Sequence, residues 1–131
     1  MKETGIKIKV LIVDDHPLTL TMLKEILKQM GFNNVREAND GEPALKILAN
    51  EDIGLVFTDL NMPNMSGTEV IQGIRGKAET KNLPVLVISG EGDQDVVVQA
   101  MKAGADSFIV KPFSAKTVKE KIMQVLSKRA R

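Results

Sequence analysis

Five polar side chains stand where apolar runs of this sequence end. Val10-Leu11-Ile12-Val13 runs into Asp14-Asp15, and Leu55-Val56-Phe57-Thr58 runs into Asp59. Val85-Leu86-Val87-Ile88 ends at Ser89, and Phe108-Ile109-Val110 ends at Lys111. Three carboxylates, a hydroxyl and an ammonium form a coherent chemical set if the fold brings them together. Crowded carboxylates repel, which raises the pKa of at least one. A hard divalent cation removes that penalty. Mg2+ takes oxygen ligands, keeps several waters, and needs only one or two protein carboxylates plus phosphate oxygens. Zn2+ normally brings His or Cys ligands. The chain has one His, His16, and no Cys. His16 is therefore expected as a first-turn or surface residue rather than a ligand. Singly, each residue has a plainer role: Asp14 and Asp15 as helix caps, Asp59 and Ser89 in turns, Lys111 as a rim charge.

The elements that must position these residues repeat as strand then helix, five times. Residues 6–13 alternate Ile and Lys and then turn continuously apolar, which predicts a strand entering a sheet and becoming buried on both faces. Pro17 suits the first turn of a helix whose apolar face is read as Leu18, Met22, Ile26 and Met30, with Leu23 and Leu27, stopped by Gly31. A weaker strand comes next at Val35 to Ala38. Asp40-Gly41 opens a second helix with Ala44, Leu45 and Leu48 inward. The third strand, about 54–58, delivers Asp59 to a loop marked by Pro63 and Gly67. Ser66 and Glu69 make a capping box for a third helix carrying Val70, Ile71 and Ile74. Pro84 starts the fourth strand. Asp93 is read as the cap of a fourth helix ending at Gly104, and Ser107 to Val110 as the fifth strand. Ser114 caps the last helix, with Val118, Ile122, Val125 and Leu126 inward.

Alternating strands and helices call for a parallel sheet covered on both faces. Five units in 131 residues favour one domain, 1–131, with an open doubly wound sheet; a TIM barrel needs roughly 250 residues. In such sheets the site lies beyond the carboxyl ends of the strands. In strand order 2-1-3-4-5 the second strand, which ends in nothing reactive, is an edge.

Composition narrows the partners. Eighteen basic and seventeen acidic residues balance to +1, so no electrostatic footprint for nucleic acid is present. Four Phe with no Tyr or Trp make a base-stacking platform a poor expectation. The absence of Cys excludes disulfides and thiol catalysis. The aliphatic runs fall far short of the roughly 20 residues that span a bilayer, and no apolar signal region comes after Met1. A cytoplasmic chain is expected, with neither membrane insertion nor direct nucleic-acid binding.

From about Ile6 to Leu126 the sequence resembles the receiver domain of two-component response regulators, the chemotaxis-protein-like family with a flavodoxin-like fold. The landmarks are Asp14-Asp15, Asp59 with Met62-Pro63 and Ser66-Gly67 after it, Ser89-Gly90, Gly104-Ala105 and Lys111-Pro112-Phe113. As a spaced set they are specific, although Asp-Asp or Lys-Pro alone is weak. The resemblance implies a phosphoryl switch rather than a true enzyme. Asp59 would take a phosphoryl group from a phosphohistidine on a sensor histidine kinase or histidine phosphotransfer protein. Asp15 and Asp59 would ligate Mg2+, with Asp14 acting mainly through water and the backbone carbonyl of Asn61 completing the set. Lys111 would pair with the carboxylate and then with a phosphoryl oxygen; Ser89 would donate its hydroxyl to another. The Lys111-Pro112 bond would be cis. Phe108 stands where the family has a switching aromatic, often Tyr; the plainer reading is a core Phe. Asn61 and Glu91 occupy variable positions that influence phosphoryl lifetime.

The resemblance also implies an output face formed by the fourth helix, fifth strand and fifth helix, for an output protein or domain that the sequence does not identify. Val96, Val97 and Val98 point about 100° apart on a helix and cannot all face the core; Val97 is read as the half-exposed one. Lys128, Arg129 and Arg131 are read as complementing the negative end of the last helix, with the start of a linker to an output domain as the alternative. Two other classes compete. A phosphorylation-independent interaction module would not require the acidic set. A Mg2+-dependent phosphatase of the haloacid-dehalogenase type wants an Asp two residues after its nucleophile, where Asn61 stands. A nucleotide or flavin site lacks a Gly-rich first loop.

Overall fold

A computed structural model describes residues 6–90 and 92–129, apart from the side chain of Arg129. Glu91 and residues 1–5, 130 and 131 lie outside the described residues, as do the expectations placed on them. The order is β1 (Val10–Val13), α1 (Pro17–Gln29), β2 (Val35–Ala38), α2 (Gly41–Asn50), β3 (Leu55–Asp59), α3 (Gly67–Arg75), β4 (Val85–Ser89), α4 (Gln94–Ala103), β5 (Ser107–Val110) and α5 (Ala115–Arg129). All strand pairs are parallel, in the order β2-β1-β3-β4-β5. This is the open doubly wound sheet expected from the alternation of elements.

Every residue of β1, β3 and β4 is buried. The two-residue period of a strand then sorts them into two cores. Leu11, Val13, Val56, Val85 and Val87 pack with α2, α3 and α4 through Ala44, Val70, Ile71, Ile74 and Ala100. Val10, Ile12, Leu55, Phe57, Leu86 and Ile88 pack on the other face with α1 and α5 through Leu23, Leu27, Val118 and Ile122. The register pairs Val13 with Thr58, Asp59 with Ile88 and Ser89 with Val110. The carboxyl ends of β1, β3, β4 and β5 therefore open onto one edge of the sheet.

Several local expectations need correction. The first strand begins at Val10, not Ile6; Ile6 makes an isolated bridge to Phe32. In α1 the buried residues are Thr19, Leu23, Ile26 and Leu27, while Leu18 and Met22 are exposed. The expected stripe is narrowed to the side that carries Leu23, Ile26 and Leu27. In α4 Val97 is buried and Val98 is the exposed valine. Phe108 is not a core residue: it points outward from edge strand β5, with Lys121 Nζ 5.2 Å from its ring centroid. Asp93 precedes α4 but its side chain makes no cap bond; it accepts from the Gly90 N–H at 3.1 Å and Asn61 Nδ2 at 3.2 Å. The Ser66 capping box forms in both directions, at 3.2 and 2.9 Å.

Candidate functional site

Beyond β1 the chain places Asp14 with its side chain wholly buried, then Asp15 and His16. Asp14 Oδ1 accepts the backbone N–H of His16 at 2.8 Å. Pro17 disfavours a helical conformation for the residue before it, and His16 is extended at φ −101° and ψ 112°. The imidazole thus turns toward the carboxylates although 61% of the side chain is exposed. Its Nδ1 lies 3.0 Å from Asp14 Oδ1, 3.2 Å from Asp15 Oδ1 and 3.7 Å from Asp59 Oδ2.

Asp59 ends β3 and is buried. Its two oxygens differ. Oδ1 accepts the N–H groups of Leu60 at 2.8 Å and Asn61 at 3.4 Å. Oδ2 faces Lys111 Nζ at 3.7 Å. Burial raises the Asp59 pKa and the negative Asp14 raises it further, against the opposing pull of Lys111 and the two backbone donors. Lys111 also stands 3.3 Å from Asp14 Oδ2. It is delivered by β5, where its N–H donates to the Ser89 carbonyl at 2.7 Å, and the Lys111-Pro112 bond is cis.

The loop after Asp59 is fixed from two sides. A β-carbon at Gly67 would collide with the Asp59 carbonyl oxygen and Leu60 Cα, and the Gly67 N–H donates to the Leu60 carbonyl at 3.0 Å. Asp40 accepts from the Gly41 N–H at 2.6 Å, from the Asn64 N–H at 3.2 Å and Nδ2 at 3.0 Å, and from the Met65 N–H at 3.1 Å. The Gly41 hydrogen bond, with those from Asn64 and Met65, holds its carboxyl below the usual range although burial opposes this. Sequence reasoning saw Asp40 as a helix opener and missed this anchoring role. It also missed His16 as a neighbour of the cluster; the available signal was Pro17 directly after it.

A cavity of about 430 Å³ is lined by His16, Leu18, Asp59, Asn61, Asp93 and Lys111. Within or beside this site, three buried side-chain atoms have no hydrogen-bond partner among the described residues: Asp14 Oδ2, Asp15 Oδ1 and Ser89 Oγ. Buried polar atoms are ordinarily paired. Two of these are carboxylate oxygens held only by ion pairs, Asp14 Oδ2 with Lys111 and Asp15 Oδ1 with His16, and carboxylate oxygens fit a hard divalent cation. The third is a hydroxyl at the end of β4, suited to donate to an oxyanion. Asp14, Asp15, His16 and Asp59 each offer a ligand atom within 4.8 Å of the others.

A sequence model described as the response regulator receiver domain matches residues 10–123. The chain is 42% identical over 120 residues to chemotaxis protein CheY-3 of Vibrio cholerae, covering 92% of each. It is 38% identical to chemotaxis protein CheY of Pseudomonas aeruginosa, covering 92% of this chain and 97% of that protein. Among solved structures, CheY4 of Vibrio cholerae superposes with a TM-score of 0.84 at 30% identity, covering 93% of this chain and 99% of that one. The receiver domain of a signal transduction histidine kinase from Syntrophus aciditrophicus gives 0.83 at 28% identity, covering 92% and 90%. With the carboxylates, hydroxyl and ammonium gathered at the strand ends, these likenesses assign the chain to the response regulator receiver domains of two-component signalling.

Proposed function

We propose that the chain, acting as one receiver domain over residues 1–131, accepts a phosphoryl group on Asp59 from a phosphohistidine of a sensor histidine kinase or histidine phosphotransfer protein. The observation that carries this reading is the asymmetry of Asp59: Oδ1 is held by backbone donors while Oδ2 faces Lys111. Oδ2 attacks phosphorus, the P–O bond forms, and the P–N electron pair leaves with the donor imidazole. Such transfer is mostly positioning and charge neutralisation. Asp14, Asp15, Asp59 and the backbone carbonyl of Asn61 would hold Mg2+, Asp14 mainly through water; bound there, the cation supplies neutralisation of carboxylate and phosphoryl charge. Lys111 pairs with Asp59 before transfer and with a phosphoryl oxygen after it. Ser89 donates its orphaned hydroxyl to another phosphoryl oxygen.

These contacts are large enough to switch a fold. Moving an equilibrium from 1:99 to 99:1 takes about 5.5 kcal/mol. Hydrogen bonds to charged groups contribute roughly 1.5–3 kcal/mol each, so Ser89 and Lys111 together approach the requirement. The output is read on α4, β5 and α5, where Val98, Met101, Phe108 and Val110 are exposed around a groove of about 780 Å³. This is a signalling role in the cytoplasm, and among the described residues no helix is long and apolar enough to cross a membrane. The test is phosphotransfer from phosphorylated kinase or phosphotransfer protein, with Mg2+ or with a chelator. Label should move to the chain only with Mg2+. Equal transfer in chelator, or none from any donor, refutes the reading.

A further inference from the structure

We propose that His16 is a nitrogen donor of the divalent-cation site, making that site more receptive to borderline transition metals than a set of oxygens alone would be. The inference rests on the acidic cluster being a cation site. Its four candidate donors already lie within 4.8 Å of one another, which approaches the spacing of ligands around one ion. Bonds of ~2.1 Å place neighbouring donors roughly 3.0 Å apart in an octahedron and roughly 3.4 Å apart in a tetrahedron. His16 Nδ1 lies 3.0, 3.2 and 3.7 Å from oxygens of Asp14, Asp15 and Asp59.

A competing role is a hydrogen-bond clamp, with Nδ1–H donating to Asp14 Oδ1. That oxygen already accepts the His16 backbone N–H at 2.8 Å. Meanwhile Asp14 Oδ2, on a side chain with no exposure, and Asp15 Oδ1 have no hydrogen bond among the described residues. Their contacts are ion pairs alone, Asp14 Oδ2 with Lys111 Nζ at 3.3 Å and Asp15 Oδ1 with His16 Nδ1 at 3.2 Å, which leaves lone pairs for a cation beside the imidazole. Imidazole suits Ni2+, Co2+ and Zn2+, whereas Mg2+ prefers oxygen. Pro17 keeps His16 extended, so the ring is presented at little conformational cost.

The chain suits a clean test. His16 is its single histidine and it has no cysteine, so a nitrogen-dependent signal in tag-free protein comes from this residue. Calorimetric titration with Mg2+ and with Ni2+ would be run on the parent chain, His16→Gln and Asp15→Asn. Because His16 is exposed and makes no side-chain cap bond, the Gln variant should keep the parent's circular dichroism. His16→Gln should lower Ni2+ affinity about tenfold or more and leave Mg2+ affinity within about threefold. Saturating Zn2+ should displace the Nδ1 resonance in a nitrogen-15 spectrum. Parallel loss of both metals, or an unmoved Nδ1, would overturn the ligand role and leave a clamp. If Asp15→Asn weakens neither metal, the cation site itself is misplaced and the inference falls with it.

Discussion

Lys111 Nζ lies 3.7 Å from Asp59 Oδ2, the oxygen of that carboxylate to which no backbone donor among the described residues is bonded. The ammonium opposes burial and the Asp14 charge, both of which push Asp59 toward its protonated form. Lys111→Met removes that opposition and a donor to the transferred group. A small phosphodonor with Mg2+ should then label the variant about 10- to 100-fold more slowly, the equivalent of one charge-assisted hydrogen bond. Initial rates of labelling measure it directly.

The same environment gives Asp59→Asn an opposite effect on stability. A carboxyl whose folded pKa is raised contributes stability below its unfolded pKa and loses it as pH rises through the folded one. At neutral pH, without metal, the ionised Asp59 is a cost. Asp59→Asn should raise the melting temperature by a few degrees there, and excess Mg2+ should narrow the gap by stabilising the parent. Thermal melts in chelator and in Mg2+ check both halves.

Asp40 works with the reverse sign. Its folded pKa is depressed, so its contribution is present above the unfolded value and lost as pH falls through the folded one. Asp40→Ala should be less stable than the parent at pH 6, and the deficit should shrink as the pH falls below about 4, the usual carboxylate range. Urea midpoints across that range provide the measurement. Because Asp40 anchors Asn64 and Met65, the variant should also label Asp59 more slowly at neutral pH.

Much of this was legible from strand ends. A parallel sheet sends every carboxyl end to one edge, so the gathering of Asp14, Asp15, Asp59, Ser89 and Lys111 is implied by apolar runs and order alone. The relationships that escaped depend on tertiary packing. Leu18 and Met22 fit a helical period, but a wide apolar stripe does not define its own centre. Three successive valines do not say which is outermost. Asp93 looks like a cap until Gly90 and Asn61 take its carboxylate. Asp40 reaches residues 24 and 25 positions away, a contact no local pattern encodes. His16 turns inward through its extended backbone, which Pro17 hinted at.

Gly67 tests how tightly the loop constrains the acceptor. Its missing β-carbon makes room for the Asp59 carbonyl and Leu60 Cα, both backbone and unable to yield cheaply. Gly67→Ala should cost about 1–3 kcal/mol in urea unfolding, with slower labelling of Asp59.

Residue-level mapping of phosphorylation tests the central claim most directly. The parent chain and Asp59→Asn would each be treated with a small phosphodonor and Mg2+, and the products read by intact mass and peptide mapping. One phosphoryl group should appear on Asp59 of the parent and none on the variant. Undiminished labelling of Asp59→Asn, or a modified residue other than Asp59 in the parent, would contradict the account.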